Sequence, residues 1–288
     1  ADGDAYVNGL HRVSRAVTIG SGGNTISLQA GDVLLTTAAS ETLGGVAVTN
    51  RQVVLFRPTT PGDYSAGTFT VLLDDPAGRQ LRDLTLVETP TVVGGVTLAS
   101  GEFLFTLQGA TQEKHIWRFT PSGAGAGTTS GTLTQFIDGA TANLPQAVYG
   151  IELIQQATTL GGQTLSAGQL LLSLESDSGA GGVGSNGLVV TRYDAFVLNV
   201  TSTGVGTSAA TATLLFRGAD VGISAAGEEF DAIALVSSGS QAPVLTLPGG
   251  ALNYTENAAA AGIDATPTAA DAASANCDSG MPRVEVTA

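Results

Sequence analysis

The side chains in this sequence that are best suited to chemistry are carboxylates grouped in short polar segments. The densest group is Asp220, Glu228, Glu229 and Asp231, whose acids flank a single connection. Hard cations such as calcium take oxygen ligands of this kind from loops. The sequence therefore predicts a candidate calcium site at these four residues, with calcium as the one candidate cofactor. The alternative is a solvated acidic turn.

Catalysis by a nucleophile or by zinc has no residue pattern to support it in this sequence. The only histidines are His11 and His115, so a histidine base is scarce. Neither G-x-S-x-G nor H-E-x-x-H occurs. The sequence predicts no catalytic residue and no enzyme. Paired carboxylates from distant loops leave a secreted hydrolase open as an alternative.

The glycine-rich segment GVGSNG, residues 182–187, has the letters of a dinucleotide-binding loop. Such a loop needs a helix directly after it, whereas LVVTRYDAFVL follows here and is typical of strands. The segment also resembles one calcium-binding β-roll repeat, with Asn186 in a ligand position. A single copy cannot form a roll, so a flexible glycine loop is the simpler interpretation.

Composition predicts a secreted or cell-surface chain that binds neither nucleic acid nor an anionic membrane. Of 288 residues only 12% are charged, 39 are glycine, and the net charge is −14. No apolar run approaches the length of a membrane span. The single cysteine, Cys277, has no partner for an internal disulfide. Because the chain begins with Ala and shows no signal-type start, we expect a processed or excised chain.

The strongest signal is a threefold internal repeat. Three similar segments contain glycines at 31, 101 and 168: LQAGDVLLTT, LASGEFLFTL and LSAGQLLLSL. A second element follows each of them, as VVLFRPT, HIWRFTP and AFVLNVT, and a third as AGTFTVLLDD, SGTLTQFIDG and AATATLLFRG. A fourth occurs as LTLVET, IELIQQ and IALVSS, and AVTIGS from Ala16 is interpreted as a further copy at the front.

These elements predict an all-β fold of three repeated four-stranded antiparallel units. Each element is short, rich in β-branched and aromatic residues, and bounded by turn residues. We expect a body over residues 1–238, with units at about 16–83, 84–150 and 151–238, and an extended tail at 239–288. A propeller-like arrangement is favoured, with a threefold β-prism or a β-sandwich as alternatives.

The third unit resembles repeat segments of very large bacterial cell-surface and secreted, adhesin-like proteins. The resemblance rests on Asp220, Val221 and Gly222 in a turn and on Asp231 and Ala232 in the closing strand, and the sequence departs from the pattern at Arg217 and Ala219. The tail, APVLTLPGGALNYTEN and onwards, resembles the opening of the cadherin-like or immunoglobulin-like modules that follow such segments. This resemblance implies an extracellular location and a role in adhesion.

The function predicted from these observations is a non-catalytic extracellular structural or adhesion module. Self-association into a surface layer or filament, or contact with other surface proteins, is the expected partnership, because low lysine content leaves strand edges weakly protected by charge. Two alternatives remain open at this point. One is a secreted carbohydrate- or calcium-binding propeller, and the other is the loop-carboxylate hydrolase.

Overall fold

A computed structural model describes residues 6–109, 111–225 and 227–235, together with strands Val244–Thr246 and Thr268–Ala270. The chain divides into two units, 1–236 and 237–288. In the second unit the two described strands pair with each other in antiparallel register. The rest of the predicted tail, including Cys277, lies outside the described residues.

The first four-stranded sheet is built from residues 7–73. Its strands β1, β4, β7 and β8 lie in that order, while β2–β3 and β5–β6 form separate short hairpins. In chain order the strands are β1 (Val7–Arg12), β2 (Val17–Ile19), β3 (Ile26–Leu28), β4 (Val33–Thr37), β5 (Glu41–Leu43), β6 (Val46–Val48), β7 (Val53–Thr60) and β8 (Asp63–Leu73).

The second sheet repeats this plan without the extra hairpin, in the order β9, β12, β13, β14. Its strands are β9 (Leu81–Leu86), β10 (Thr91–Val93), β11 (Val96–Leu98), β12 (Phe103–Leu107), β13 (Ile116–Gly123) and β14 (Ser130–Ile137), and β10 and β11 form the short hairpin.

The third sheet has the order β15, β18, β19, β20 and again carries one short hairpin, β16–β17. Its strands are β15 (Val148–Leu153), β16 (Thr158–Leu160), β17 (Gln163–Leu165), β18 (Leu170–Leu174), β19 (Ala195–Ser202) and β20 (Ala209–Phe216). A single turn of 3-10 helix, Gly218–Val221, follows. The all-β prediction is confirmed, and the sheets are antiparallel.

We call β1, β9 and β15 the inner strands and β8, β14 and β20 the outer strands. The inner strands pack against one another, β1 on β9 and β9 on β15. One element was misplaced by sequence reasoning: AVTIGS from Ala16 contains β2 of a short hairpin, and the true inner strand of the first sheet is β1. The error arose because the hairpin strand has the same short apolar alternation as an inner strand.

The repeated glycines stand in a turn that begins the second strand of every sheet. Gly31, Gly101 and Gly168 have φ values of 94°, 90° and 90°, in the left-handed region that favours glycine. The next side chain accepts a hydrogen bond from the backbone N–H three residues before it, over 2.7–2.8 Å; these acceptors are Asp32, Glu102 and Gln169. The repeated Gly-Asp, Gly-Glu and Gly-Gln pairs therefore set where the strand starts.

Two apolar layers join the sheets. The first lies between the first and second sheets and includes Phe103 and Phe105, whose rings stack with centroids 5.6 Å apart. The second lies between the second and third sheets and includes Phe196. All five residues of β12 are buried, because both faces of the middle sheet are covered. Burying one such aromatic side chain is worth about 1.5–3 kcal/mol.

The outer face of the first sheet is covered by the additional hairpin β5–β6. Leu35, Val48 and Val54 are buried there, with Phe56 and Phe69 packed against them. A repeated sheet at the end of a row would otherwise leave this apolar face in water. The hairpin therefore acts as a cap on the first unit.

Candidate functional site

The segment at residues 227–235 occupies the place of a fourth inner strand beside the third sheet. Ser173 Oγ donates a 2.8 Å hydrogen bond to the carbonyl oxygen of Phe230. The corresponding hydroxyls of the first two sheets do the same for the next inner strand, with Thr36 bonded to Arg82 O at 2.5 Å and Thr106 bonded to Tyr149 O at 3.0 Å. The repetition of this bond shows that the segment contacts the third sheet in the way that β9 and β15 contact the first and second sheets.

Asp83 ties the three inner strands and the segment 227–235 together. Its carboxyl group is fully buried and accepts four backbone N–H groups, from Leu10 at 3.1 Å, Leu84 at 2.8 Å, Ile151 at 2.7 Å and Ile233 at 3.2 Å. Burial raises the pKa of this carboxyl group well above its usual value, although the N–H groups of Ile151, Leu84 and Ile233 oppose that change. All of its acceptor capacity is used within the fold.

Glycine is required at position 9 by the close approach of the first two inner strands. A Cβ atom on Gly9 would lie 2.6 Å from the Cα of Asp83. Any larger residue would push β1 away from β9 and lengthen the hydrogen bond between Leu10 and Asp83. The glycine therefore serves the packing of the inner strands rather than a turn.

A buried ionic cluster is formed by residues on or just after the three inner strands, namely His11, Glu88 and Glu152. The Nε2 atom of His11 is 3.1 Å from Glu88 Oε1, and its Nδ1 atom is 3.3 Å from Glu152 Oε2. The three residues are only 2%, 7% and 5% exposed. Burial alone would lower the pKa of His11, but the charges and hydrogen bonds of Glu152 and Glu88 raise it to about 9. His11 is therefore a cation at neutral pH.

The two glutamates of the cluster respond differently to burial. Burial raises the pKa of Glu152, and its contact with His11 does not reverse that change. Burial also opposes ionisation of Glu88, but hydrogen bonds from His11 and Ser14 lower its pKa. Ser14 donates to Glu88 through both its backbone N–H and its hydroxyl. Glu88 is therefore the more acidic of the two carboxyl groups beside His11.

The same position in the third sheet is Gln155, and it makes the same kind of link. Its Oε1 atom accepts the backbone N–H groups of Glu88 at 2.7 Å and Thr89 at 2.9 Å. Glu88 likewise accepts the N–H groups of Ser14 and Arg15 in the first sheet. A polar side chain just after each later inner strand thus binds the backbone of the sheet before it.

Sequence reasoning missed these residues. A signal for them exists, because Asp83, His11 and Glu152 are ionisable residues that each stand directly beside a leucine in a short strand segment. A charge in such a place is costly unless it is paired or hydrogen-bonded. The sequence thus marks them as special without revealing their partners.

A pocket of about 280 Å³ lies where the inner strands begin. Three of its lining residues are the second residues of the three inner strands, and a fourth comes from the segment 227–235: Asn8, Arg82, Tyr149 and Asp231. The others are Ala38, Gln80, Gln108 and Glu175. This pocket is the place where polar side chains from all the repeated units meet.

Arg82 organises the wall of this pocket. Its guanidinium carbon lies 4.1 Å from the centre of the Tyr149 ring, and its Nη2 atom is 3.4 Å from Glu113 and 3.5 Å from Glu175. Tyr149 donates a 2.7 Å hydrogen bond to Glu175. Burial and this bond raise the pKa of the Tyr149 hydroxyl. In the described part of the chain the Nε–H of Arg82 is buried without a partner, so its donors are only partly used.

The four carboxylates predicted to bind calcium have separate roles. Asp220 is exposed in the 3-10 turn. Glu228 accepts the N–H groups of Ser224 and Ala225, and Glu229 accepts that of Gly227 and lies 3.4 Å from Arg192. Asp231 lines the pocket. Among the described residues no three His, Cys, Asp or Glu side chains are grouped to hold a metal ion, and calcium binding stays a prediction.

Two further sequence features have local structural roles. The side chain of Asn186, in the glycine loop, exchanges two 2.8 Å hydrogen bonds with the backbone of Ala212 in β20. His115 accepts the N–H of Gly139 at 3.0 Å and packs edge-to-face on Trp117. Burial lowers the pKa of His115. Both residues hold loops against strands.

Comparison of the chain with protein-family models, curated proteins and solved structures gave no match. Within the ranges that the structure describes, no helix has the length and apolar character to cross a membrane.

Proposed function

We propose that this chain is a non-catalytic structural and adhesion module of an extracellular surface, built as a propeller-like body that associates through its strand edges. In this proposal the sheets are arranged radially around the inner strands. His11 in the first sheet contacts Glu152 in the third sheet directly. This contact between sheets that are not consecutive along the chain supports an arrangement of all three sheets around one axis. The hydrogen bonds that Asp83 accepts from β1, β9, β15 and the segment 227–235 support it as well.

The absence of catalysis is supported by how the buried ionisable groups are used. The polar side-chain atoms of Asp83, Glu88 and His11 form hydrogen bonds within the protein, to neighbouring strands and to one another. A catalytic acid or base needs to reach a substrate atom at hydrogen-bond distance. Groups that are enclosed between sheets do not meet that condition.

The observation that carries the proposal of self-association is the character of the outer strands. Within the described residues each lies at the end of its sheet order. Together β8, β14 and β20 contain one charged residue, Asp63, and no lysine. Edge strands without charge are open to pairing with another chain, and lysine is a common protection against it. Because Ser185 and Asn186 of the glycine loop already bind the backbone of β20, β8 and β14 are the edges proposed to pair. A second copy of the chain is the partner proposed here.

The test is sedimentation velocity over a range of protein concentrations, with and without calcium. We expect the wild-type chain to form larger species as concentration rises. Lysines at exposed outer-strand positions, Thr70→Lys combined with Thr134→Lys, should reduce this association. The control is Thr97→Lys, at an exposed position of the β10–β11 hairpin, which should associate like the wild type. A wild-type chain that stays monomeric in all conditions would contradict the proposal.

A further inference from the structure

The pocket at the start of the inner strands is a recess whose polar groups the fold does not fully use. Its volume of about 280 Å³ lies at the lower limit for small-molecule sites, so it suits a ligand smaller than a typical drug. Every lining side chain except Ala38 carries a polar group. The site is thus built for hydrogen bonding rather than for apolar burial.

We propose that this pocket binds a single sugar unit, that is, a small neutral molecule with several hydroxyl groups. A hydroxyl group donates and accepts at the same time. The pocket offers the matching mixture, with the carboxylate of Asp231 as acceptor, the amides of Asn8 and Gln108 as both donor and acceptor, and Arg82 as donor. The inference goes beyond the structural role and supplies an adhesion module with a ligand class.

The charges of the wall oppose other small ligands. Glu175 and Asp231 would repel an anionic ligand, and the whole chain carries a net charge of −14, which acts in the same direction. For a metal cation, no three ligating side chains of the described residues are grouped, and Arg82 in the same wall offsets part of the attraction of the two carboxylates. A neutral ligand needs neither a positive wall nor a grouped set of metal ligands.

The position of Arg82 also sets the expected strength of binding. Sugar sites of high affinity use the face of an aromatic ring, but here Arg82 covers the ring of Tyr149 at 4.1 Å. Binding then depends on hydrogen bonds that replace those to water, and each has a modest net value. We expect dissociation constants in the millimolar range, about −4 kcal/mol.

The experiment is a titration of the full 288-residue chain, labelled with nitrogen-15, with D-glucose, D-galactose, D-mannose and N-acetyl-D-glucosamine up to ~50 mM, well above a millimolar dissociation constant. The side-chain amide signals of Asn8, Gln80 and Gln108 report directly on the pocket. We expect at least one sugar to shift these signals in a saturable way. Asp231→Asn should weaken that binding about tenfold, because a hydrogen bond to a charged acceptor is lost.

The matched control is Glu41→Gln, which removes a carboxylate from β5, outside the pocket lining. It should bind the sugar like the wild type. The proposal is overturned if no sugar gives a saturable shift, if Asp231→Asn binds as well as Glu41→Gln, or if only calcium or phosphate shifts the three amide signals. Self-association is measured separately by sedimentation, so either proposal can fail while the other stands.

Discussion

Loss of the proton on His11 should destabilise the protein as the pH rises from neutral into the alkaline range. The folded-state pKa of His11 is raised from 6.5 to about 9. Its contribution to stability is therefore complete below pH 6.5 and is lost as the pH passes through about 9. Because each pKa unit is worth about 1.4 kcal/mol, the free energy of unfolding should fall by about 3 kcal/mol over this interval.

Two measurements test this prediction. Urea unfolding at a series of pH values between 6 and 10 gives the free energy of unfolding. Proton NMR of the imidazole rings gives the pKa of each histidine, and the second one, His115, is an internal reference whose pKa is lowered by burial. We expect the ring of His115 to titrate below 6.5 and that of His11 to stay protonated at pH 8.

Glu152→Gln removes the stronger of the two charges that raise the pKa of His11. This variant should lower the pKa of His11 and reduce the loss of stability in alkali, while His115→Gln should leave the pKa of His11 unchanged. The reasoning is refuted if His11 titrates at or below 6.5 in the wild type, or if Glu152→Gln does not move its pKa. Removing one partner of a buried ion pair can itself cost about 3–5 kcal/mol, so the NMR measurement is decisive.

Three further outcomes follow from the geometry. Gly168→Ala should lose about 2 kcal/mol more stability than Gly31→Ala in urea unfolding. The two glycines have similar φ values, 90° and 94°, but a Cβ atom would lie only 2.1 Å from Val92 O at Gly168 and would meet nothing within 4 Å at Gly31. Equal losses would contradict this reasoning. Thr106→Val should cost about 1–3 kcal/mol by leaving buried partners unpaired, against almost no change for exposed Thr97→Val. If the predicted calcium site binds the ion, calcium at millimolar concentration should raise the thermal midpoint and a chelator should reverse that rise, whereas an unchanged midpoint would contradict the predicted site.

The repeat and its strands could be predicted because their signals are local. Gly31, Gly101 and Gly168 each stand in a turn that needs glycine, and the apolar segments after them become β4, β12 and β18. The start of the first unit could not be placed, because β1 carries His11 where its sister strands carry Thr85 and Glu152. Gly9 and His11 are set by contacts with Asp83 and Glu152, which are distant in the sequence.

The candidate site could not be predicted for the same reason. Of the four acids selected from the sequence, only Asp231 lines the pocket. Arg82 and Tyr149 had no motif around them, and they meet because adjacent inner strands begin at the same level. Spacing within a segment cannot show such a meeting, which depends on how separate sheets pack.

The four donors of Asp83 have a consequence for how the protein is made. Two of them, from Leu10 and Leu84, are available once the second sheet has left the ribosome, but those from Ile151 and Ile233 come later. Until then the carboxylate has to remain in contact with water. The hydrogen bonds of Asp83 at the centre of the body are therefore complete only when synthesis has passed residue 233. A chain interrupted before that point would leave Asp83 in contact with water.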